Sequence, residues 1–186
     1  MKKSKLIILI AVIVVLVAGI IAVVILSDKK NGKTDNVPEV KEAQIDTLRV
    51  LFCRYEPVIY SDGEGGAIGF DAELIAYACD KMGISYDLIE ADFSEMEEMI
   101  ENDEADCIWT GYVPTKQSRE KFDLSAPYVT MEMDYPSGVI VEDWVVAVKK
   151  GRDDNLLEKI EDALKKAEED GTIKKLAEKY ELRIAE

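Results

Sequence analysis

Residues 105–128 read ADCIWTGYVPTKQSREKFDLSAPY, and the fold turns on how they are interpreted. Cys107, Ile108 and Trp109 are consecutive apolar residues, the pattern of a short strand buried on both faces. Thr110-Gly111 reads as the turn that ends it, followed by a polar segment with room for a turn of helix. A second short strand, Phe122 to Leu124, then runs into Ser125-Ala126-Pro127-Tyr128. In an open parallel sheet, ligands bind in the crevice beyond the carboxyl ends of the strands. Thr110 to Thr115 is expected to be such a crevice loop. A strand ending in a glycine turn occurs throughout α/β proteins, so this stretch alone assigns no function.

Upstream, Leu48 to Phe52 (LRVLF) is a β-branched and aromatic run and reads as a first strand. A loop over Arg54 to Gly66 follows, marked by Pro57, Asp62-Gly63 and Gly65-Gly66. Gly69-Phe70-Asp71 opens a helix, with Asp71 as its expected N-cap and Gly83 as its terminating glycine. Ile84 to Ile89 is a second strand. Asp92 to Asn102 is a short helix expected to turn Phe93, Met96, Met99 and Ile100 inward. With the strand at 106–109 the order is β-α-β-α-β, which calls for parallel strands joined by right-handed crossovers. Downstream, Val129 to Asp134 and Val139 to Lys149 are strand-like and flank the turn signal Tyr135-Pro136-Ser137-Gly138. The second of these is expected to return along the sheet antiparallel. Helices over Asn155 to Glu169 and Thr172 to Tyr180 close the chain, with Gly171 between them.

The amino-terminal residues differ in kind. Lys2, Lys3 and Lys5 precede Leu6 to Leu26, which contains no charge, proline or asparagine. A helix of that length rises about 30 Å, enough to cross the hydrocarbon core of a bilayer. The run exceeds a signal peptide's usual apolar region and lacks a small-residue cleavage site. The expected organisation is a cytoplasmic tail (1–5), a membrane anchor or, alternatively, a cleaved signal (6–26), a polar tether (27–44) and a folded body (45–186). The lysines at 29, 30 and 33 balance those at the front, so flanking charge alone does not orient the anchor. The short tail and the acidic body place that body outside the cytoplasm.

Of the chain's 23 basic and 38 acidic residues, the first 36 positions hold six lysines and two acids, leaving 17 basic and 36 acidic residues beyond. That balance opposes binding to nucleic acid or anionic lipid. The cysteines, Cys53, Cys79 and Cys107, show no CxxC spacing, and there is no histidine, so no metal site or cofactor is expected. Cys79 shares a helical face with Leu74, Ile75, Ala78 and Met82 and is expected in the core. No histidine-based or serine-based catalytic set and no phosphate loop is present, so an enzyme is not expected.

In order, LRVLF, YEPVIY before GFDAELIAYACDKMG, DCIWTG, FDLSAPY and the closing WVVAVKKGRDDNLLEKIEDALKKAEEDGTIKKLAEKY resemble the extracytoplasmic solute-binding proteins of polar amino-acid ABC transporters. The resemblance implies one lobe of a type II periplasmic-binding-protein fold. About ten residues follow Tyr128 before the returning strand, where that family places a whole second lobe, so the second lobe is expected to be missing. The resemblance also implies site residues. Tyr55 holds the place of an aromatic that stacks on the ligand, with Val58 where the family has Phe. Thr110, Gly111 and Thr115 fall in the ligand loop, with Val113 at its hydroxyl position. The family's carboxylate-binding arginine falls on Ser118, with Arg119 next to it. Either a local shift lets Arg119 serve, or the carboxylate anchor is lost. The implied partners are an amino acid or related solute and an ABC permease. A second copy or a protein partner could instead occupy the face that the missing lobe leaves open, with Val139 to Val148 the stretch concerned. A repurposed lobe acting as a sensory or protein-interaction module is the alternative reading.

Overall fold

The computed structural model describes residues 45–64 and 66–185. The expected tail, anchor and tether lie outside the described residues. Among the described residues no helix is long and apolar enough to cross a membrane.

Three parallel strands start the body: β1 (Thr47–Phe52), β4 (Ser85–Glu90) and β5 (Cys107–Tyr112). Between β1 and β4 lie the short strands β2 (Tyr60–Ser61) and β3 (Ala67–Ile68) and helix α1 (Phe70–Met82). Helix α2 (Phe93–Glu101) connects β4 to β5. A single turn, α3 (Ser118–Lys121), leads into β6 (Phe122–Leu124), then β7 (Val129–Tyr135) and β8 (Gly138–Lys149). Helices α4 (Leu156–Glu169) and α5 (Thr172–Lys179) follow. The sheet order is β4-β1-β5-β8-β6, with β1 parallel to β4 and β5, and β8 antiparallel to β5 and β6.

Strand alternation builds two cores. Leu48, Val50, Phe52, Cys107, Trp109, Val146 and Val148 face one side, where α1, α4 and α5 supply Leu74, Ile75, Ile160 and Leu176. Leu51, Ile108, Tyr112, Val145 and Ala147 face the other, covered by Met96 and Ile100 of α2. The period of two along each strand carries this division. Cys79 is buried, as its helical face requires, and burial pushes its thiol up to about 12.

Four sequence expectations need correction. Asp71 does not cap α1: Gly69 holds that position, and Asp71 is a fully buried residue of the helix. The amides of Phe70 and Asp71 are met instead by the carbonyls of Pro57 and Val58 (3.2 and 2.8 Å), so main chain does the work of a capping side chain. The loop over 54–66 contains β2, which pairs antiparallel with β3 immediately after it. Phe93, expected inward, is 50% exposed, because it stands in the first turn of α2 at the carboxyl end of the strands, against the Tyr112 ring (5.8 Å). The strand expected to stop at Trp109 continues through Thr110 and Gly111 to Tyr112. Pairing shifts between Ile108↔Ala147 and Tyr112↔Val145, so Trp109, Thr110 and Gly111 stand opposite Val146 alone. Gly111 absorbs this bulge at φ 62, and a β-carbon there would lie 3.1 Å from the Trp144 ring.

β8 is long enough to serve two partners. Its second half lies between β5 and β6, and its first half forms a hairpin ribbon with β7, closed by Pro136-Ser137. This is the antiparallel return expected for Val139 to Lys149.

Candidate functional site

Tyr55 stands in the loop beyond the carboxyl end of β1. Its amide donates to Ile59 O (2.8 Å) and its carbonyl accepts from Val58 and Ile59 (2.7 and 2.8 Å), a tight turn that holds the residue in place. The ring is 45% exposed, stands edge-on to Trp144 (centroids 6.5 Å apart), and its hydroxyl donates to Met133 Sδ (3.4 Å). Burial on that side raises its phenol above the ordinary value. A groove of about 550 Å³ opens between this ring, the β7–β8 ribbon and Leu182-Arg183, with Met133, Tyr135 and Trp144 on its walls.

Thr110 and Gly111 lie behind Tyr55, but their polar groups point inward. The Thr110 hydroxyl donates to Cys53 O (3.2 Å), and the residue is 3% exposed. The Gly111 amide donates to the Tyr128 hydroxyl (3.3 Å). Thr115 is one turn further on, and its hydroxyl accepts from the Ser118 amide (3.0 Å). Ser118 is fully buried and donates back to Thr115 O (3.1 Å), so the position that aligns with the family's arginine is a turn-closing serine. Arg119 is exposed, and its guanidinium forms no side-chain hydrogen bond or ion pair among the described residues. The other arginines, Arg49, Arg54, Arg152 and Arg183, are all in ion pairs. No contact joins the Arg119 side chain to Tyr55 among the described residues. Val113 and Phe93, both exposed, lie on the same carboxyl-end rim.

Sequence reasoning missed a buried node beneath this rim. Tyr128 Oη donates to both carboxylate oxygens of Asp71 (3.0 and 3.1 Å) while accepting from Gly111. Asp71 comes from GFD, Gly111 from WTG and Tyr128 from SAPY, so three of the separate motifs that carried the resemblance meet at one hydrogen-bonded point. Burial pushes the Asp71 carboxyl up to about 7, against the pull of Tyr128 and the Gly111 amide, and pushes the Tyr128 phenol well above its usual value. The available signal was an aspartate inside an apolar helical face, where an unpaired carboxyl would be costly. Trp109, 0% exposed, is core, as expected.

The described residues form one α/β lobe with the half-exposed Tyr55 beyond the carboxyl end of β1, the arrangement of a single solute-binding lobe. The family described as bacterial extracellular solute-binding proteins, family 3, matches residues 48–183, and the chain belongs to it. The arginine-binding extracellular protein ArtP of Bacillus subtilis (strain 168) is 28% identical over 76 residues, 41% of this chain. The chain spans 29% of the length of that relative. Among solved structures, an ancestral arginine-binding protein bound to arginine superposes with a TM-score of 0.63 at 19% identity, covering 73% of this chain and 98% of that one. The arginine-bound form of domain 1 from TmArgBP gives 0.55 at 24% identity, covering 65% of this chain and 93% of that one. Another similar structure (TM-score 0.63, 19% identity, 73% of this chain and 95% of that one) is an ancestral amino-acid-binding protein described as a precursor of cyclohexadienyl dehydratase.

Proposed function

We propose that this chain is a membrane-tethered, extracytoplasmic lobe that binds an amino acid or a similar small polar solute, weakly, for ABC-type uptake. Family membership supports the general role, and the observation that carries the specific one is Arg119. In a body with twice as many acids as bases, Arg119, exposed and without a side-chain ion pair among the described residues, is a ready partner for a ligand carboxylate. Tyr55 supplies an aromatic surface for the rest of the solute. The single TmArgBP domain with bound arginine supports binding by one lobe without its partner lobe. Thr115, Thr110 and Gly111 belong to this site as its frame, holding Tyr55 and Arg119 by the inward bonds described above. The anchor is residues 6–26 and the tether residues 27–44, and a permease is the membrane partner this reading calls for. A one-lobed site leaves half the ligand in water, so Kd is expected near millimolar, about −4 kcal/mol.

Titration of the folded body with the twenty amino acids, followed by heteronuclear NMR, tests the reading. Saturable shifts at Tyr55, Gly111 and Arg119, with the midpoint moved to roughly tenfold higher ligand in Arg119→Gln, are the expected result. A well-dispersed spectrum that no amino acid moves would overturn it. A second reading, a lobe repurposed for protein interaction, is favoured by one observation: the β7–β8 ribbon exposes Tyr135, Val139, Ile140 and Val141 together. A second copy or a partner protein on that face is compatible with either reading.

A further inference from the structure

The two edges of the β7–β8 ribbon are treated differently. The outer edge of β7 is covered by the chain's own end: Glu132 N donates to Arg183 O and Ala185 N to Thr130 O, both at 2.9 Å, with Met131 bridged to Ile184. The outer edge of β8 is bare. β5 joins it only from Val145, and no described residue pairs with Val139 to Asp143 on that side. The hairpin closes on the pair Tyr135↔Gly138 across a two-residue turn, so even-numbered residues of β8 bond to β7. The carbonyls of Trp144 and Val146, which accept from Tyr128 and Ser125, follow the same parity. The main-chain groups of Val139, Val141 and Asp143 therefore face outward. Val139 and Val141 are 56% and 55% exposed, and Ile140 between them is 37% exposed. A bare, apolar edge is a template for another strand, and a two-stranded ribbon by itself is only marginally stable in water.

We propose that this edge is a homodimer interface in which two copies pair antiparallel about Ile140, giving a continuous ribbon β7-β8-β8-β7. The occupant is argued from charge. The chain is strongly acidic, and the ribbon carries Glu132, Asp134, Glu142 and Asp143, so a chance self-contact would place like charges together. Centred on Ile140, the pairing avoids this. Val139 lies opposite the partner's Val141, Ile140 opposite the partner's Ile140, Glu142 opposite the partner's Gly138, and Asp143 opposite the partner's Ser137. Val139 and Val141 exchange both hydrogen bonds in this register. Moving the axis to Glu142 would set the two Glu142 carboxylates face to face. The partner is thus a strand with apolar residues at its centre and no charge opposite Glu142 or Asp143, which describes β8 itself.

Ile140 is the test position because it lies on the two-fold axis in a non-hydrogen-bonded pair. There the two β-carbons approach to about 4.5–5.5 Å, close enough for a disulfide after slight adjustment. The full chain carrying Ile140→Cys, in mild detergent and in isolated membranes, should oxidise to a disulfide-linked dimer on a non-reducing gel. Val139→Cys, displaced from the axis, should link at least tenfold more slowly, and the unaltered chain, whose cysteines are buried (Cys79, Cys107) or half-buried and away from this edge in sequence (Cys53), should stay unlinked. By light scattering after size exclusion, the unaltered chain should show twice the protein mass of Ile140→Lys, whose circular dichroism should be unchanged. A monomeric mass for the unaltered chain, or equal linking rates at 139 and 140, would overturn the proposal. Either result would be expected if residues 1–44 or a different protein covered the edge. No amino acid is added in these assays, so their outcome is independent of the binding titration.

Discussion

Asp71 shows how a single residue is constrained from three directions at once. Its carboxyl is raised from 3.8 to about 7, chiefly by burial. Between those values the folded state holds a proton that the unfolded chain has released, so stability must fall as pH rises from about 4 to about 7, and level off above. A shift of that size corresponds to roughly 4 kcal/mol across the window. Asp71→Asn keeps the shape and removes the titration, so its denaturation midpoints should be nearly flat over the same range, measured by denaturant unfolding at several pH values. Asp106, Asp154 and Asp170 are shifted the opposite way, downward, and weaken the fold only at pH values below the window, which keeps the two effects separable. Gly69 is constrained by space instead. A β-carbon there would fall 2.4 Å from Val58 O, at φ 127. Gly69→Ala must therefore push the YEPV loop off the first turn of α1. The expected cost is about 2–4 kcal/mol, with Tyr55 resonances shifted in the same sample.

At the scale of elements, the two ends of the parallel strands are specialised. The carboxyl ends carry Tyr55 and the bulge, while the amino end of β5 carries a charge cluster. Asp106 accepts from the Arg49 amide (2.9 Å) and guanidinium (3.0 Å) and pairs with Arg152, which also binds Asp154. Asp106→Ala would leave Arg49 and Arg152 facing an empty position. The loss should be about 2–3 kcal/mol, less than for a fully buried pair because Arg49 is 40% exposed. Ligand shifts at the opposite end of the sheet should be unaffected. The same elements show what sequence could reveal. β1, α1, β4 and α4 were legible because their apolar residues repeat at the period of the structure they form. The continuation of β5 was not. A glycine at positive φ inside a strand looks identical to one that ends it, and only the register of β8, a strand distant in sequence, distinguishes them. β2 and β3 are two residues each, too short for any period, and Phe93 followed the helical pattern yet falls in the first turn of α2, where it packs on the Tyr112 ring and stays half exposed.

Across the whole molecule, the site was only partly legible for a related reason. Tyr55 and Arg119 stand exposed, but the polar groups of Thr110, Gly111 and Thr115 turn inward to partners that no local pattern predicts: Cys53 O, Tyr128 Oη and Ser118. Trp144, which backs both Tyr55 and Gly111, comes from the far end of the fold. The missing second lobe then sets what binding can look like. A two-lobed receptor closes about its hinge and traps the solute, whereas a single lobe has nothing to close. If the lobe binds an amino acid, exchange should be fast on the NMR timescale, and the radius of gyration measured by X-ray scattering should not change on saturation. Stabilisation should follow RT ln(1 + [L]/Kd), about 1.4 kcal/mol at ten times Kd. Tyr55→Ala and Arg119→Gln should each raise Kd by roughly tenfold, since each removes one of the few contacts that a half-cage offers, while leaving the unliganded melting temperature within a degree or two because both side chains are exposed. Slow exchange or a contraction on binding would mean that a second body, such as another copy of this chain, completes the cage.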